Sequence, residues 1–119
     1  MMMGVRVPVF SWGCRYAVLA LRAEQLHRAT TGHRLIEYRG PEAWIEDLQD
    51  EEPAPAADLV EDADELLADL PALMLDQTLA TELRKTVEEI RAVVDAGRDQ
   101  PTSAPRQLFV DVDALFRAE

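Results

Sequence analysis

The sequence predicts a small α+β protein: an N-terminal β-α-β unit, an acidic linker, a helical hairpin and a short C-terminal strand. Three observations lead there. Valines alternate at both ends of the chain, leucines recur at spacings of four and three through 59–73, and a run of acids, prolines and alanines separates the two patterns. At 119 residues the chain is of one-domain size. We divide it into a β-α-β-like front with a short helix (1–49), a Pro/Ala linker (50–58), a hairpin (59–97) and a loop with a strand (98–119), packed as one domain.

In 5-VRVPVFSW-12 the valines alternate with Arg6, Pro8 and Phe10, and Pro8 has no N–H for a ladder, so this reads as an edge or first strand. A helix follows over 14–30, opened by Ser11 or Gly13, rich in strong helix formers and closed by Gly32. The run 34-RLIEYR-39 is a second strand, and the order strand-helix-strand permits a parallel crossover. Pro41 suits the first turn of a helix over 41–49, with Glu42 near its positive end; a hairpin strand carrying Trp44 is the alternative.

The linker 50-DEEPAPAAD-58 cannot bury enough to order itself. Beyond it, Leu59, Ala63, Leu66, Leu70 and Leu73 form the seam of a helix that packs on another helix, with Asp58 as N-cap. Pro71 breaks that seam, so the first helix ends near Leu70 and Asp69 caps a second one. The second runs through Leu75, Leu79, Leu83, Val87, Ile90 and Val94 to Gly97, with pairs Lys85–Glu89 and Arg91–Asp95 on its polar side. After a Pro-containing loop, Leu108, Val110 and Val112 alternate as a strand against Phe109, and the chain finishes in a helical turn.

Composition bounds the chemistry. With 48% apolar and 29% charged residues the chain fits a soluble globular protein rather than a disordered one. No apolar run is long enough to span a bilayer, and Pro8, Arg15 and Arg22 interrupt any signal-peptide pattern, so the expected location is the cytoplasm. The single cysteine agrees with a reducing compartment. The net charge of −11 is segregated: residues 1–40 hold six arginines against Glu24 and Glu37, whereas 41–76 hold thirteen acids and no base. Such a chain is repelled by nucleic-acid phosphates and anionic lipid. It favours a basic protein partner.

No catalytic constellation is visible. Cys14 at a helix start beside Arg15 has the setting of an activated thiol, yet His27 lies roughly 20 Å along the same helix at 1.5 Å per residue, and His33 is no nearer. Zinc spacings are absent, the acids of 58–69 lack the glycine turn and liganding order of a calcium loop, and 111-DVD-113 has no phosphate cradle beside it. We therefore expect no catalytic residue, no metal and no cofactor. The expected function is that of a non-enzymatic binding module: an inhibitor, antitoxin or immunity-type neutraliser, or an accessory subunit. Its acidic 42–69 region would engage a basic protein surface, nucleic-acid mimicry being one mechanism. The candidate contact residues are Trp44 as aromatic anchor with Glu46, Asp47, Glu61, Asp62, Asp64, Glu65 and Asp69. The alternative is an assembly component that homodimerises through its leucine seams.

Overall fold

The computed structural model describes residues 9–32, 35–40, 42–96 and 108–117. The described residues are mostly helical, with a small two-stranded parallel sheet among them. Helix α1 (Val9–Thr31) starts earlier than the sequence pattern implied. Residues 9–12 of the expected first strand are helical, and 5–8 lie outside the described residues. Burial explains the difference. Val9, Trp12, Tyr16, Leu19 and Ala23 share one helical face and are all buried, whereas a strand would send Val9 and Trp12 to opposite sides. The Trp12 ring stacks on Tyr16 at 5.2 Å, and its Nε1 donates to the Leu66 carbonyl at 3.0 Å. Gly32, at φ +80°, closes the helix by donating its N–H to the Arg28 carbonyl at 2.8 Å.

The second expected strand is present as β1 (Ile36–Arg39), but its partner is β2 (Leu108–Asp111), parallel, with Ile36 opposite Leu108. The sheet therefore pairs the strand that follows α1 with one near the C-terminal end of the described chain, and no β-α-β unit forms among the described residues of 1–49. Leu108 and Val110 are buried and Phe109 is exposed, as their alternation predicts. Val112 opens α5 (Val112–Arg117) rather than extending the strand, because the Asp111 carboxylate accepts the Ala114 N–H at 2.9 Å and caps the turn.

Between the strands run α2 (Glu42–Gln49), as the helical reading of 41–49 expected, and α3 (Ala56–Asp69). The linker is shorter than 50–58, since the amides of Asp58 and Leu59 already bond to the Pro55 carbonyl. Asp58 thus lies in the first turn and does not cap it. Pro71 does end the helix, through a 3-10 turn (Leu70–Leu73) that stops at Met74 in the left-handed region. Asp69 makes no cap bond there. Helix α4 (Gln77–Ala96) is capped instead by Asp76, whose Oδ2 accepts the Thr78 N–H at 3.0 Å.

Helices α3 and α4 pack side by side. Leu59, Ala63, Leu66, Leu70 and Leu73 are buried, as are Leu83, Val87, Ile90 and Val94, whereas Leu75 and Leu79 at the start of the second seam are half-buried. Among the described residues no helix is long and apolar enough to cross a membrane.

Candidate functional site

Helix α1 lies between the two acidic helices. On one flank, Leu21 and Gln25 meet Ile45 and Leu48 of α2 around a cleft of about 440 Å³. On the other, Cys14, Arg15, Val18 and Arg22 meet Asp62, Glu65 and Leu66 of α3 around a groove of about 270 Å³. Helix α2 is amphipathic: Leu48 is buried, Trp44 is half-buried, and Glu42, Glu46 and Asp47 point to solvent. Trp44 meets Phe10 edge to face at 6.4 Å, and Phe10 is 57% exposed. Phe10 was not among the sequence candidates because the strand pattern assigned to 5–12 hid its position at the start of α1, beside Trp44. A bulky apolar residue just before a helix-forming run was the signal available.

The carboxylates of α3 divide into two sets. Asp58, Asp62, Glu65 and Asp69 recur at four, three and four along one flank, and the last three of them face the arginines of α1. Asp69 pairs with Arg15 at 2.7 Å. On the opposite flank Asp64 pairs with Arg91 of α4 at 2.6 Å, so Arg91 bridges the helix pair in addition to neighbouring Asp95 on its own helix. Glu51 of the linker takes Arg22 at 3.3 Å. Of the sequence candidates, Asp64 and Asp69 are thus tied to bases of the chain itself. Among the described residues, no ion pair holds Glu42, Glu46, Asp47, Glu61, Asp62 or Glu65. The structure does not gather the candidates at one point: Trp44, Glu46 and Asp47 stand on α2, and Glu61, Asp62 and Glu65 on α3.

The cleft and groove offer little covalent chemistry. Burial pushes the Cys14 thiol up from its ordinary value, which disfavours the thiolate a nucleophile requires. His27 is buried on α1, and His33 lies outside the described residues. In the cleft, Glu24 Oε1 accepts the N–H groups of Leu35 at 2.7 Å and Ile36 at 3.0 Å, while its other oxygen meets Arg28 at 3.0 Å. Gln25 Nε2 donates to the Leu48 carbonyl, and its Oε1 is buried with no partner among the described residues. Beside the sheet, burial together with Asp113 and Cys14 pushes the Tyr38 phenol up to about 12. No group of three or more His, Cys, Asp or Glu among the described residues is placed to hold a metal ion. Searches of family models, curated proteins and solved structures give no match to this chain.

Proposed function

We propose that the protein is a non-enzymatic binding module that engages an electropositive protein surface through the outer faces of α2 and α3. The observation that carries this reading is the set of carboxylates on those helices that no ion pair holds among the described residues: Glu42, Glu46, Asp47 and Glu61 are exposed, and Asp62 and Glu65 stand at the rim of the groove beside Arg15 and Arg22. Their spread along two helices suits an extended positive surface better than a point ligand. Trp44 and Phe10 supply an aromatic anchor at the α2 end, and aromatic side chains dominate binding energy where they can be desolvated.

The test is capture from host lysate on the immobilised chain, after nuclease treatment, with stepwise salt elution. Wild type is compared with a variant carrying Glu61→Gln, Asp62→Asn and Glu65→Gln, and with Trp44→Ala. A defined basic protein that is released at moderate salt and lost from both variants supports the reading. Retention of the same proteins by the neutralised variant, or retention that is indifferent to salt, overturns it.

A further inference from the structure

A two-stranded parallel sheet with one face in solvent is an incomplete object. Parallel sheets are ordinarily covered on both faces, and two strands alone are marginal. Here Ile36, Leu108 and Val110 are buried, while Glu37, Arg39 and Phe109 face outward. Phe109 is 49% exposed, with the Arg39 guanidinium 5.7 Å from its ring centre.

The register determines where the backbone groups point. The Leu108 N–H bonds to the Leu35 carbonyl at 3.0 Å, so Leu108 and Val110 turn both their polar groups toward β1. Phe109 turns both of its own toward the opposite edge. On the β1 side the outward amide of Ile36 is closed by Glu24 at 3.0 Å. Among the described residues nothing takes the N–H or C=O of Phe109.

We propose that a second copy of this chain adds to the β2 edge, antiparallel, about a two-fold axis at Phe109. Each Phe109 N–H then donates to the other copy's Phe109 carbonyl, and a four-stranded sheet results with order β1-β2-β2-β1. Symmetry favours the same chain as occupant, because an antiparallel pair of one residue with itself satisfies both of its outward groups at once. Charge favours it as well. Two chains of net charge −11 repel across most of their surface, but β2 carries only Asp111, whose carboxylate turns back to cap α5. About an axis at Phe109 the two Asp111 positions stand four residues apart, about 14 Å at 3.4 Å per residue, beyond the screening length of about 8 Å at physiological salt. The two exposed Phe109 rings meet as a cross-strand aromatic pair.

The contact is short, so the dimer is weak and concentration-dependent. It is independent of the acidic-surface reading and has the opposite salt dependence: screening strengthens the approach of two acidic chains and weakens that of a basic partner. Sedimentation velocity of the full chain, from micromolar to about 1 mM protein at low and high NaCl, should show a reversible monomer–dimer equilibrium in which dimer increases with salt. Phe109→Lys should abolish it without changing the far-ultraviolet circular dichroism, since the side chain is exposed. A second measurement uses cross-linking in a Cys14→Ala background. Directly opposed residues of a hydrogen-bonded antiparallel pair stand about 5.5 Å apart between Cα atoms, within disulfide reach. The Phe109→Cys variant should therefore form a disulfide dimer several-fold faster than Met74→Cys, which is also exposed. A monomer under all conditions, a dimer that survives Phe109→Lys, or equal cross-linking rates overturns the proposal.

Discussion

Three positions show how single groups govern this fold. The Trp12 indole is fully buried and its N–H has one partner, the Leu66 carbonyl. Trp12→Phe keeps an aromatic ring but loses that bond and part of the packing, and should destabilise by about 1–3 kcal/mol in urea unfolding followed by circular dichroism. Met74 is the one described non-glycine residue at positive φ, 59°, and its side chain is exposed. Met74→Gly relieves a left-handed conformation that costs an L-residue about 1–2 kcal/mol, offset by the greater freedom of glycine in the unfolded chain, so the variant should unfold at equal or higher urea. The tyrosines give a pH dependence. Burial pushes Tyr16 well above the ordinary tyrosine value, and pushes Tyr38 up to about 12. A folded-state pKa above the unfolded one means the neutral phenol is favoured by folding. The resulting stability is fully present below pH of about 10 and is lost as pH rises toward 12. Phenolate absorbance and ellipticity followed together should therefore change in one transition above pH of about 10, and Tyr16→Phe should shift the unfolding to higher pH.

At the scale of elements, what the sequence made legible was what period and local chemistry control. The leucine seam of α3, the helix break at Pro71, the helix over 42–49 and the alternation in β2 all rest on side chains whose burial follows from spacing. What stayed hidden was non-local. Nothing within 1–49 shows that β1 pairs with a strand some seventy positions later, since a strand-helix-strand order looks locally sufficient. From Val9 onward the strand period fails because the helical face set by Trp12 and Tyr16 outweighs local β-propensity. The acid stripe of α3 was legible as charge, but its arginine partners on α1 required the packing of two helices. One junction between elements is tightly fitted. A Cβ on Gly40, just past β1, would stand 2.7 Å from the Tyr38 hydroxyl and 3.0 Å from Val112 Cβ at the start of α5. Gly40→Ala should therefore cost about 1–3 kcal/mol by overpacking, with urea unfolding as the measure.

For the whole molecule, the question is whether the ion pairs or the surplus charge dominates its electrostatics. Arg15–Asp69, Arg22–Glu51 and Arg91–Asp64 join partly exposed groups, a class that contributes little and is screened by salt; in Arg28–Glu24 the arginine is exposed and only the carboxylate, held by two backbone N–H groups, is largely buried. Against them stands a net charge of −11, with thirteen acids and no base over 41–76, and many of those acids share helix faces at i,i+3 and i,i+4 spacing. Self-repulsion of that kind opposes the compact state and is relieved by screening. The midpoint of thermal unfolding should therefore rise when NaCl is raised from low concentration to about 0.3 M, where the screening length falls to roughly half that at 0.1 M. Replacing Glu61, Asp62 and Glu65 by their amides should raise the midpoint at low salt and shrink the rise. A midpoint that falls with salt would mean that the four bridges outweigh the surplus, and it would remove the physical reason for α3 to seek a positive surface outside the chain.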